Sequence, residues 1–270
     1  MAEIKVHRAP EYSVKQSPVL PMVKTPYRGT LIGASGQGKT VWLASWICDI
    51  MPQHDRYYIF SHSIHQDSAW VPVKKCIEAR LKIDPQKEDP PLYYDQYEHA
   101  ALQKIITQQH EMVKLAKKQG KKTLPSILVI FDDMLDDSQL MTTRGSNSRL
   151  LASLYIRGRH DQISTLTSVQ RFAGLNALVK SQSTFYIVYR LRSATDLEAL
   201  SEFVSAVYPG GKKVVEAIYR RAIEDRDWSF LVVNLMARTP EDTFWLRFEK
   251  RLVPRSDIQV NDQADGPSRR

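Results

Sequence analysis

From Tyr97 to Lys118 apolar side chains recur at helical spacing, at Ala101, Leu102, Ile105, Ile106, Met112 and Val113, with polar residues between them. A period near 3.6 predicts an amphipathic helix, closed by the basic loop Lys117-Lys118-Gln119-Gly120-Lys121-Lys122. Trp42, Trp46 and Ile50, flanked by Leu43 and Ile47, form a second helical stripe. Ser126 to Phe131 (SILVIF) is instead an unbroken apolar run, as in a strand buried on both faces. Further strands are expected at Tyr27–Ile32, Asp55–Ser61, Ile163–Val169 and Thr184–Tyr189. Phe230–Met236 and Thr243–Phe248 read as a closing hairpin across Arg238-Thr239-Pro240. Helices are expected at Arg149–Ile156, Asp196–Val207 and Lys212–Asp225, the last two parted by Pro209-Gly210-Gly211. Residues 62–95 are dotted with prolines, lack a clear period and read as irregular. Strands alternating with helices predict an α/β fold with a mostly parallel sheet and helices on both faces. One domain over residues 25–253 is expected, with an N-terminal arm (1–24) and a polar, disordered tail (254–270).

Composition adds limits. Of the 270 residues 43% are hydrophobic and 25% charged, which allows an ordinary core without a metal or disulfide to hold it. No apolar run approaches the roughly 18 residues of a membrane span, and the first residues lack the apolar stretch of a signal peptide. Cys48 and Cys76 stand apart without metal-type spacing, and His62 and His65 have no cysteine or carboxylate cluster to complete a set. A reducing compartment and no zinc site are expected. The net charge of +8 favours a polyanionic partner such as nucleic acid. Lys117, Lys118, Lys121 and Lys122 could be a phosphate-binding patch, although solvated basic loops look the same.

Gly33-Ala34-Ser35-Gly36-Gln37-Gly38-Lys39-Thr40 fits G-x-x-x-x-G-K-[ST] without a mismatch. Glycines let backbone N–H groups curl around a β-phosphate, and the following helix aims its N-terminus at the same anion. Lys39 is then the contact to the β- and γ-phosphates of ATP, and Thr40 the hydroxyl ligand of Mg²⁺. Such enzymes also need a carboxylate at the end of a nearby strand. Asp132 ends the run Ile127–Phe131, where it can hold a metal-bound water, and Asp133 can polarise the attacking water. Solvated turn residues would look alike, as Asp136-Asp137 does; the P-loop upstream favours the catalytic reading. The motifs lie about 90 residues apart, with a strand and a long helix between them. That separation predicts a P-loop NTPase three-layer sandwich with a strand inserted between the P-loop and acidic strands.

Gln170 ends the stretch Ile163–Val169, and its amide can both donate to and accept from a γ-phosphate or attacking water. Arg157 and Arg159, in Arg157-Gly158-Arg159-His160, could complete a neighbouring subunit's site as arginine fingers. Cations near a helix C-terminus are expected on dipole grounds alone, and Arg144 competes for the same role.

Together these residues resemble the poxvirus-type virion DNA-packaging ATPases of the FtsK–HerA superfamily, over roughly residues 25–250. The resemblance rests on Gly33–Thr40, Ser61 followed by Asp67-Ser68-Ala69-Trp70, Asp132-Asp133, Arg157–His160 and Gln170. It departs at Lys180-Ser181-Gln182-Ser183, where the family would have an arginine followed by an asparagine. The resemblance implies ATP hydrolysis in a homo-oligomeric ring that drives double-stranded DNA into a preformed capsid. It implies a capsid or portal-vertex partner, no membrane segment, and a viral protein in the cytoplasm or nucleus of the infected cell or associated with the virion. Any capsid-docking or nuclease domain would lie on another protein. A cellular or plasmid DNA pump, a helicase loader and a nucleotide-bound scaffold with little turnover remain open alternatives at this level.

Overall fold

The computed structural model describes residues 11–20, 22–134, 146–208 and 210–253. In chain order the elements are β1 (Arg28–Ile32), α1 (Lys39–Ser45) with a π-helical extension over Trp46–Ile50, β2 (Arg56–Ser61), α2 (Trp70–Leu81), β3 (Tyr93–Tyr94) and α3 (His99–Lys118). There follow β4 (Ile127–Asp132), α4 (Ser146–Arg157), a 3₁₀ turn at Gly158–Asp161, β5 (Ile163–Val169), α5 (Ala177–Gln182) and β6 (Phe185–Val188). The chain closes with α6 (Ala194–Ser205), α7 (Gly211–Ile223), β7 (Leu231–Asn234), β8 (Phe244–Leu246) and β9 (Lys250–Arg251).

The strands form one nine-stranded sheet in the order β3-β2-β4-β5-β1-β6-β7-β8-β9. From β3 to β6 every neighbour is parallel, and β7, β8 and β9 add antiparallel pairs. Every residue of β4 and β5 is buried, so both faces of the sheet centre are covered, as parallel sheets require. The expected α/β three-layer fold and closing hairpin are therefore present. The strand that separates P-loop and acidic strands in the sheet is β5, later in sequence than either, whereas β2 lies on the far side of β4.

One sequence expectation changes. Residues 62–95 contain the helix α2, which buries Trp70, Val73 and Ile77 on one face. Pro72 sits in its first turn, where the missing N–H would have had no intrahelical partner. Residues 11–20 and 22–24 lie along the domain: Ser13 bridges Thr123, and Leu20 and Val23 are buried. Arg144, Asp136-Asp137 and the tail lie outside the described residues.

Packing fixes the angle between β1 and α1, the two elements on either side of the P-loop. Trp46 Nε1 donates to the Tyr27 hydroxyl at 2.8 Å, and that hydroxyl lies 3.0 Å from His54 Nε2. The Tyr27 hydroxyl thus links the Trp46 indole to the His54 ring, whose Nδ1 lies 3.4 Å from Ser126 Oγ on its other side. Around this chain Trp42 stacks on Trp46 with centroids 4.6 Å apart, and Trp46 packs on Phe185 at 5.4 Å. Burial pushes the His54 pKa down to about 3, against a smaller upward pull from Asp55.

Candidate active site

In parallel sheets of this kind ligands bind at the carboxyl ends of the strands. Here that edge gathers the loop after β1, the Asp132-Asp133 pair ending β4, and Gln170 following β5. The P-loop owes its shape to its glycines: Gly36 and Gly38 have φ of 78° and 81°, a region costly to residues with a Cβ. At Gly33 the demand is space, since a Cβ would lie 2.7 Å from Tyr189 Cβ. Lys39 is buried, and its Nζ donates to Gly33 O at 2.7 Å and Ala34 O at 3.2 Å.

Asp132 stands at the end of β4 in register with Ser61 of β2 and Ser168 of β5. Ser61 Oγ donates to its Oδ2 at 3.1 Å. Burial raises the Asp132 pKa, and the neighbouring Asp133 charge raises it further. Asp133 turns into the left-handed region with φ 51°, which aspartate tolerates better than most residues. Its amide donates to Ser168 O at 3.1 Å. That turn brings Oδ1 to 4.0 Å from Lys39 Nζ and Oδ2 to 3.4 Å from Gln170 Nε2. These groups open on a cleft of about 860 Å³, lined among others by Ser35–Trp42, Ser61, His62, Asp67, Asp132, Asp133, Tyr189 and Trp228.

The stretch from β3 through the end of α7 carries the family signal. Residues 93–226 match the family model of the Poxvirus A32 protein. The A32-matched stretch holds Asp132, Asp133, Gln170, Arg157 and Arg159, while the P-loop precedes it and stands on its own motif and geometry. No curated protein sequence matches the chain. Among solved structures it is similar to the genome packaging NTPase B204 of Sulfolobus turreted icosahedral virus 2 in complex with AMP. That match has a TM-score of 0.52 and 14% identity, covering 82% of this chain and 96% of the other. EssC (ATPases 2 and 3) from Geobacillus thermodenitrificans superposes with TM-score 0.54 and 12% identity, covering 90% of this chain and 47% of that one. At such identities the likeness is one of fold.

Of the residues singled out by sequence, Ala34, Gly33, Ser35, Gly36, Gln37, Gly38, Lys39, Thr40, Asp132, Asp133 and Gln170 all lie at this one edge. Arg157 and Arg159 do not join them. Both precede β5 and are exposed at the opposite ends of the strands. There Arg159 lines a second cleft with Lys24, Arg28, Arg238 and Arg251, and its charge adds to the burial that lowers the Arg28 pKa. A five-residue strand such as β1 puts roughly 16 Å between the two ends, so neither arginine reaches the P-loop of its own chain. Lys180-Ser181-Gln182-Ser183, where the resemblance departs, is also remote, on α5 and just before β6.

The sequence reading passed over several residues at the edge. Ser61 entered it as a motif marker and proves to be a hydrogen-bond partner of Asp132; equal alignment of two strand ends was the available signal. Arg171 follows Gln170, with Nε 3.6 Å from Asp196 Oδ2. Trp228, in the loop before β7, carries no local pattern that would have marked it.

Proposed function

We propose that the chain is an ATPase that translocates double-stranded DNA, packaging a viral genome into a capsid as a homo-oligomeric ring at a capsid or portal-vertex protein. The observation that carries this reading is the convergence of Lys39, Asp133 and Gln170, with contacts of 4.0 and 3.4 Å, at the mouth of the P-loop. Agreement with the A32 family over the acidic strand and beyond supports it. So does the shared fold of B204, described as a DNA-packaging ATPase.

The residues present fit ATP with Mg²⁺. Asp132 is a buried carboxylate, and Asp133 Oδ1 is buried without a hydrogen-bond partner; both suit a cation and its water shell. Thr40 and Asp132 would hold Mg²⁺, which supplies charge neutralisation on the phosphate oxygens. The N–H groups of Gly33 to Thr40 would cradle the phosphates, and Lys39 would exchange its carbonyl contacts for γ-phosphate oxygens. Asp133 is poised to take a proton from the attacking water as the new P–O bond forms and the β–γ bridging oxygen leaves. Gln170, hydrogen-bonded to Asp133, would orient that water. Arg159 or Arg157 would act on a neighbouring subunit's nucleotide. The +8 net charge suits sequence-independent contact with DNA phosphates.

The test is steady-state ATP hydrolysis with and without duplex DNA at low salt. The wild-type chain should turn over ATP, and DNA should stimulate it. Lys39→Ala should be inactive, while Asp133→Asn should keep nucleotide binding and lose turnover. Full activity of Lys39→Ala would overturn the reading.

A further inference from the structure

We infer that Trp228 forms a nucleobase subsite, a face on which the purine ring of the bound nucleotide stacks; the inference rests on the P-loop reading above. Order in the sheet gives the cleft a direction. The carboxylates that mark the γ-phosphate end follow β4, on the β5 side of β1, and Lys39 Nζ lies 4.0 Å from Asp133 on that side. The loop before β7 lies on the other side, beyond β6. A triphosphate laid along the P-loop with its terminal phosphate at Lys39 therefore points its nucleoside end toward Trp228.

That end of the cleft is apolar. Trp228 is 65% exposed and Val41, the residue after Thr40, is 62% exposed, and both line the P-loop cleft. The indole lies against the phosphate loop itself: a Cβ on Gly38 would come within 3.5 Å of Trp228 Cε3. An exposed tryptophan on a loose loop would mean little, but this loop is fastened on both flanks. Arg247 Nη1 donates to Asp225 Oδ2 at 2.6 Å and to Ser229 Oγ at 2.9 Å, and Arg226 Nη2 donates to Glu249 Oε1 at 3.1 Å. Ser229 is buried directly after Trp228. Trp228 itself has φ 61°, a conformation rare for a bulky residue and found disproportionately at ligand clamps. A large flat apolar side chain held open to water beside a phosphate loop suits a flat aromatic ligand bearing phosphates.

Calorimetric titration of the full chain with ATP and with inorganic tripolyphosphate, both with Mg²⁺, separates base from phosphate. The wild type should prefer ATP. Trp228→Ala should lose roughly tenfold or more in ATP affinity, with tripolyphosphate affinity unchanged, and Trp228→Phe should retain most of the ATP affinity. Equal losses for both ligands, or no loss for ATP, would overturn the inference. A wild type that binds both ligands equally well would overturn it while leaving the P-loop reading standing. A wild type that binds neither would overturn both.

Discussion

His54 ties the stability of this fold to pH, through a group that no catalytic argument uses. Its ring is buried between Tyr27 and Ser126, with the Tyr27 hydroxyl at 3.0 Å and the Ser126 hydroxyl at 3.4 Å. Burial lowers its pKa from 6.5 to about 3. The unfolded chain therefore binds the proton first. The stability from keeping this ring neutral is fully present above pH 6.5 and is lost progressively as the pH falls toward 3. At pH 5 the unfolded histidine is almost wholly protonated and the folded one is not, a loss of about 2 kcal/mol relative to pH 8. Carboxylates titrate in the same range, so the informative quantity is a difference between two proteins. His54→Gln removes the titration and keeps an amide to meet the Tyr27 hydroxyl. Urea unfolding at pH 8 and pH 5 should show the wild type losing about 2 kcal/mol more than His54→Gln over that interval. The two proteins' stabilities at either single pH do not matter to the test. If both lose stability equally, or if the His54 ring of the folded wild type protonates near pH 6 in an NMR titration, the burial argument is wrong.

Gly33→Ala should destabilise the chain by about 1–3 kcal/mol through overpacking, because the new Cβ meets Tyr189 Cβ at 2.7 Å; an unchanged urea midpoint would refute this. Arg159→Ala and Lys39→Ala subunits should each hydrolyse ATP poorly, and mixing them should restore activity, since Arg159 lies at the strand ends remote from its own P-loop. If neither Arg159→Ala nor Arg157→Ala rescues Lys39→Ala in rings shown to be mixed, the finger lies elsewhere, with Arg171 and Arg144 next to test.

What could be read from sequence divides along a physical line. The P-loop and the acidic strand end are local: Gly36 and Gly38 need their backbone freedom within a few residues of the lysine they position, and Asp132 follows its own strand without a break. Such features survive in a one-dimensional pattern. The helix α2 was hidden because Pro72 counts as a breaker in sequence, yet in the first turn of a helix it removes nothing. Strand order is hidden more deeply. The pairing of β5 with both β1 and β4 joins segments over a hundred residues apart for β1, and nothing in the β5 pattern says which strands flank it.

Strand order nevertheless decides what the residues can do. Because β5 sits between β1 and β4, the carboxylates stand one strand away from the P-loop rather than against it, with the cleft open between them. The left-handed turn at Asp133 then closes part of that distance, carrying Oδ1 back to 4.0 Å from Lys39. The same order sends β6 and β7 to the other side of β1, so the acidic and apolar walls of the cleft cannot exchange places. Arg159 precedes β5 whereas Gln170 follows it, so one strand separates the amide beside Asp133 from an exposed cation at the opposite end of the sheet. A parallel strand buried along all of its length thus ends on two different chemistries, Gln170 beside the carboxylates at one edge of the sheet and Arg159 with Lys24, Arg28, Arg238 and Arg251 at the other.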